Sequence, residues 1–123
     1  MKLLILMLLF FSTNVFAVEK IFRPQGGAGI LYFYTDWCEH CQKNKPFFYK
    51  LLERNEDLDI QPINAELDKE TPAYFKVESV PSMCLVVRKP IKGTGNYSLD
   101  YDCKTVDHTN MEYFVRELRK IDF

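Results

Sequence analysis

Ile30-Leu31-Tyr32-Phe33-Tyr34-Thr35-Asp36-Trp37-Cys38-Glu39-His40-Cys41 is the stretch on which the fold of this chain turns. Its first half is a short, β-rich apolar run, the signature of a buried strand. From Gln42 to Arg54 the pattern becomes helical, so Cys38 and Cys41 stand at a strand-to-helix junction. Two thiols at this spacing can close a disulfide, bind a metal or attack another protein's disulfide. A sulfur at a helix N-terminus meets unpaired backbone N–H groups and the positive end of the helix dipole, which favours the thiolate. The thiolate is the species that performs thiol–disulfide exchange.

Reading outward, Gln25-Gly26-Gly27-Ala28-Gly29 forms a flexible turn before a strand over Ile30 to Thr35. A helix is expected from Cys38 to about Asn55, with Phe47, Phe48, Leu51 and Leu52 inward and a kink at Pro46. Ile60 to Asn64 reads as the next strand and Lys69 to Phe75 as a short helix. Met83 to Arg88 and Tyr97 to Cys103 read as two strands joined around Gly93-Thr94-Gly95. Thr109 or Asn110 caps a final helix, Met111 to Lys120, with Phe114, Val115, Leu118 and Ile121 inward. A crossover helix makes the first two strands parallel, and the hairpin adds an antiparallel pair. The α/β class follows, with a mixed central sheet and helices on both faces.

At 123 residues the chain carries one domain with room for a real core. A formal charge of −1 and the lack of a basic block give nucleic-acid binding no electrostatic support. Residues 1–17 form a separate unit. Lys2, the apolar run Leu3 to Phe11, and the small residues Val15 and Ala17 at the cut read as a secretory signal peptide. The run is too short to span a bilayer, although an uncleaved N-terminal anchor is the alternative. Cleavage leaves a domain over 18–123, removes Lys2 and takes the charge from −1 to −2. No membrane span is expected after cleavage. Export favours redox-active or bonded cysteines, and a bacterial periplasm is the expected compartment.

Tyr32 to Cys41, Pro46 five residues past the second cysteine, and Val77-Glu78-Ser79-Val80-Pro81-Ser82 together resemble the thioredoxin superfamily. The resemblance covers about Ile21 to Lys120 and implies a thioredoxin-like three-layer sandwich. It implies Cys38 as the exposed nucleophile and Cys41 as the buried resolving thiol, with the disulfide itself in place of any cofactor. It also implies that Pro81 is cis and that the Val80 backbone pairs with an extended substrate. Trp37 would shield the disulfide. His40 resembles the histidine of oxidising relatives, which stabilises the thiolate, while Glu39 beside it repels one. The family's buried aspartate aligns with Tyr32 and its partner lysine with Pro62, so the usual proton relay is expected to be absent.

Cys84 and Cys103 form a second pair. If Gly93-Thr94 closes a two-residue loop, opposed residues have numbers summing to 187, which sets Cys84 against Cys103, Val86 against Tyr101 and Arg88 against Leu99. Opposed α-carbons stand about 4.5–5.5 Å apart, within disulfide reach. A structural cross-strand disulfide and two buried free thiols both fit. No metal is expected at Cys38 and Cys41, because Cys84, Cys103, His40 and His108 lack the usual ligand spacing. His108 reads as a solvated loop residue, and Phe33, Phe47, Phe48 and Phe75 as core. Two functions remain: a monomeric exported thiol–disulfide oxidoreductase acting on protein thiols or disulfides with a redox partner protein, or a binding or assembly module on the same fold.

Overall fold

The computed structural model describes Phe22, Pro24 and residues 26–121. The signal peptide reading over 1–17 lies outside the described residues. Strand β1 (Ala28–Tyr34) is followed by helix α1 (Glu39–Arg54), strand β2 (Ile60–Asn64) and the short helix α2 (Glu70–Tyr74). Strands β3 (Ser82–Pro90) and β4 (Tyr97–Thr105) then form a hairpin, and helix α3 (Met111–Lys120) closes the described chain. The sheet order is β2-β1-β3-β4, with β1 parallel to β2 and both other pairings antiparallel.

Strand alternation divides the core in two. On one face Ile30, Tyr32, Ile60 and Met83 meet Phe48 and Leu51 of α1 and Met111, Phe114, Val115 and Leu118 of α3. On the other, Leu31, Phe33, Cys84 and Val86 pack with Phe22 and with Phe75, the residue after α2. Strand β1 is thus covered on both sides, which explains its continuous apolar run. Gly29 fits where a side chain would not: an added Cβ would lie 2.9 Å from both the Asp59 carbonyl oxygen and the Phe22 ring.

Two local expectations need correction. Phe47 is 46% exposed, because successive helix residues diverge by about 100° and Phe48 occupies the centre of the buried stripe. Its ring instead stacks on exposed His108, centroids 4.8 Å apart, so His108 has a ring partner as well as solvent. The hairpin loop is also wider than two residues: Ile91 N–H donates to the Asn96 carbonyl at 2.8 Å, leaving Lys92–Gly95 as the loop. Gly93 and Gly95 supply the positive φ angles it needs, 79° and 70°. Widening by one residue on each side preserves the sum of 187, so Cys84 opposes Cys103, Val86 opposes Tyr101 and Arg88 opposes Leu99. Pro46 lies within α1, where its missing N–H leaves the Gln42 carbonyl without the usual helical partner.

Candidate active site

Parallel strands β1 and β2 end at the same edge of the sheet, and that edge carries the cysteines. Such carboxyl-end edges are where open α/β sheets place their sites. After β1, Thr35-Asp36-Trp37 leads to Cys38, the N-cap of α1. After β2, Asn64 returns to the same loop: its side-chain amide donates to the Asp36 carboxylate at 3.4 Å, and the Gln42 amide donates to the Asp36 carbonyl at 2.9 Å. The junction is thereby tied to both strands and to the first turn of α1.

Cys38 and Cys41 are joined as a disulfide, with α-carbons 5.2 Å apart. The backbone N–H of Cys41 donates to Cys38 Sγ at 3.1 Å, so the first sulfur takes one of the orphan donors at the helix start. An anion on this sulfur would be held by that bond and by the helix dipole. Val80 comes from across the site, its carbonyl oxygen 3.8 Å from Cys38 Sγ. The Val80–Pro81 peptide is cis. Its loop is pinned at two points: Ser82 Oγ donates to the Ser79 carbonyl at 2.6 Å, and Val106 N–H donates to the Pro81 carbonyl at 3.0 Å.

The two cysteines line different openings. Cys38 lines an open groove of about 840 Å³ shared with Trp37, His40, Pro72, Val77 and Val80. Cys41 lines a smaller cavity of about 110 Å³ behind it, with Tyr32, Asp36, Lys45 and Pro62. Cys38 is less open than an exposed nucleophile would be, at 6% accessible against 4% for Cys41, because its sulfur is bonded inward and covered by the Val80 loop. Trp37 is 72% exposed, so most of its ring is open to solvent or a partner. Glu39 lines the same groove, and its carboxylate also lies 3.8 Å from Lys43 on the exposed side of α1. His40 is exposed at the groove.

Tyr32 and Pro62 are direct partners in the β1–β2 register. The Tyr32 ring stacks on Phe48 at 4.2 Å, and its buried hydroxyl has no hydrogen-bond partner among the described residues. Burial, followed by the neighbouring Tyr34, pushes its pKa up to about 12. Thr35 carries the second such hydroxyl, in the groove wall. Sequence reading left out the contribution of Asn64, Ala65 and Glu66; the parallel pairing of β1 and β2 is the signal that places them here.

Cys84 and Cys103 form a second disulfide, α-carbons 4.0 Å apart, on the face that packs beneath Val77 and Val80. Cys103 Sγ also lies 3.8 Å from the Phe75 carbonyl oxygen. The pair is remote in sequence from the Cys38 loop but supports the same core cluster as the Val80 segment.

The sequence model of the Thioredoxin family matches residues 16–116. Protein disulfide isomerase-like 1-3 of Oryza sativa is 32% identical over 92 residues, covering 72% of this chain and 15% of the relative. Mitochondrial thioredoxin-2 of Schizosaccharomyces pombe is 36% identical over 53 residues, covering 43% of this chain and 40% of the relative. The chain thus matches well under half the length of these curated relatives. Among solved structures, the thioredoxin of Trichomonas vaginalis superposes with a TM-score of 0.59 at 17% identity, covering 75% of this chain and 79% of that one. The thioredoxin of Fasciola hepatica gives 0.56 at 16% identity, covering 74% and 81%. These structural likenesses concern the fold, and with a family match across most of the sequence they agree with the three-layer arrangement and the dithiol at its edge: the chain belongs to the thioredoxin family.

Proposed function

We propose that the protein is a thiol–disulfide oxidoreductase that exchanges disulfides with protein partners through Cys38 and Cys41. The observation that carries this reading is Cys38 Sγ at the start of α1, accepting from Cys41 N–H and opening on the groove beside Val80. In the reducing direction, the Cys38 thiolate attacks a partner disulfide, forming a mixed disulfide and releasing one partner sulfur as a thiolate. Cys41 gives up its proton and attacks Cys38 Sγ; the Cys38–Cys41 bond forms and the second partner sulfur leaves. Oxidation of a partner dithiol is the same sequence in reverse. Its equilibrium is set by the reduction potential, with Glu39, His40 and Trp37 as the tuning residues. Val80 and Pro81 form the wall against which an extended partner segment lies. No cofactor beyond the disulfide takes part.

The working form is a monomer in an exported compartment, the bacterial periplasm, with a redox partner protein restoring its dithiol or disulfide. The leader sequence supports this, as does the bonding of all four cysteines in two pairs. Insulin reduction, oxidation of a reduced peptide and partner capture by Cys41→Ser test the reading together. Turnover in either direction, and a mixed disulfide through Cys38 in the variant, are expected. If neither turnover nor capture occurs, the fold serves as a binding or assembly module with incidental cysteines.

A further inference from the structure

The groove beside Cys38 combines an apolar lining with an uneven set of charges. Trp37, Pro72, Val77 and Val80 supply the apolar part. Three carboxylates join them from segments far apart in sequence: Glu39 follows Cys38 at the start of α1, Glu66 stands in the turn after β2, and Glu78 precedes Val80. The last two positions are held by their neighbours. Glu66 N–H donates to the Asn64 side-chain oxygen at 3.0 Å. Glu78 lies between Val77, whose N–H donates to the Pro72 carbonyl at 2.8 Å, and Ser79, whose hydroxyl lies 3.2 Å from that of Thr105. Against these carboxylates the lining sets Lys69 and His40, and all of these charged side chains are exposed. Lys43, 3.8 Å from Glu39, offsets that carboxylate in part. Glu66 and Glu78 have no ion pair among the described residues. A chain of net charge −1 exerts no large field at a distance, so selection falls to this local excess of negative charge.

We propose that the groove selects protein segments whose reacting cysteine has apolar neighbours and lysine or arginine flanks, with Glu66 and Glu78 as specificity-determining residues. The proposal rests on the oxidoreductase reading and names its substrate class. Basic flanks meet the carboxylates while the apolar neighbours cover Trp37 and Val80. Acidic flanks bring like charges together, which disfavours the wrong partner as much as the opposite charges favour the right one. The same flanks assist exchange: a cation beside a partner sulfur lowers the pKa of its thiol and makes it a faster leaving thiolate. Because the groove charges are exposed, the preference is moderate and fades as salt screens it.

The test is mixed-disulfide formation by reduced Cys41→Ser with symmetrical disulfides of three peptides, mass spectrometry placing each adduct on Cys38. The peptides share a central cysteine and its apolar neighbours and differ only in lysine, serine or glutamate flanks. The small thiol 2-mercaptoethanol, run in parallel, reports the intrinsic reactivity of each peptide, and every rate is divided by it. The expected lysine-to-glutamate ratio in about 0.01 M salt is at least about tenfold, the lower end of electrostatic steering. It should shrink in about 1 M salt, where charges are screened beyond about 3 Å. Glu66→Gln with Glu78→Gln should lower the ratio by about 3- to 10-fold, the worth of two exposed charge pairs. Lys69→Gln should raise it, a direction that general damage to the groove would not produce. A ratio within about twofold of unity at low salt, or one favouring glutamate, overturns the proposal. So does a ratio that the double glutamine variant leaves unchanged, or equal slowing of all three peptides in that variant, which marks an effect on the Cys38 thiolate. No adduct with any peptide, while 2-mercaptoethanol reacts with all of them, is a different failure and removes the oxidoreductase reading itself.

Discussion

Phe48 lies 4.2 Å from Tyr32, ring to ring, in the cluster that joins α1 to the sheet, whereas Phe47 pairs with His108 at the surface. Phe48→Ala should cost about 3–5 kcal/mol in urea unfolding, the range for emptying a buried aromatic site. Phe47→Ala should cost about 1 kcal/mol or less, the worth of an exposed ring stack. Equal losses at the two positions would contradict the burial described. A helical period identifies the buried stripe but not its edges: Phe47 and Leu52 flank it, and only neighbouring elements decide which flank is covered. The loop carrying His108 before α3 makes that decision for Phe47, and the chain around residue 47 holds no trace of it. Tyr32 is a similar case. Its sequence position marks it as a polar tip in a buried strand, while its neighbours Phe48 and Pro62 meet it only when β1, α1 and β2 come together.

At the scale of elements, the β3–β4 hairpin was readable because one sum fixes every pair, and a symmetric change in loop length leaves that sum alone. The bounds of β2 and α3 were equally legible, set by turn chemistry on both sides. Capping was less so. Asn110 holds the N-cap position of α3, yet its side-chain oxygen accepts from Asp107 N–H at 2.8 Å and makes no cap bond to the helix. The Cys84–Cys103 bond spans 19 residues, a loop whose closure removes about 3 kcal/mol of unfolded-state entropy. Cys84→Ala with Cys103→Ala should therefore lower unfolding free energy by about that amount and leave mixed-disulfide capture by Cys38 intact. Loss of capture together with stability would make the hairpin bond part of the site. Gly29→Ala should cost about 1–3 kcal/mol, because the Asp59 carbonyl belongs to backbone that also accepts from Ile30 N–H at 2.8 Å. A neutral result would mean that β1 and the segment before β2 slide apart easily.

For the whole molecule, Tyr32 predicts an alkaline limit to stability. Below pH 10 its hydroxyl is protonated in both the folded and unfolded chains and contributes no pH dependence. Between about 10 and 12 the unfolded chain releases this proton first, so unfolding becomes easier as pH rises. The shift amounts to about 2–3 kcal/mol, lost progressively as pH approaches 12. Urea midpoints of the oxidised protein and of Tyr32→Phe should diverge across that window, the variant losing less; parallel curves would show that the folded hydroxyl titrates normally. The unequal room beside the two cysteines has a separate consequence. A polypeptide can enter the groove of about 840 Å³, while the space of about 110 Å³ behind admits only small molecules. For the exchange proposed above, that difference predicts a size filter, with a polypeptide partner meeting Cys38 first. Small alkylating reagents escape the filter, whereas bulky ones are restricted to the Cys38 side, so the same reduced protein would give different labelling patterns with the two.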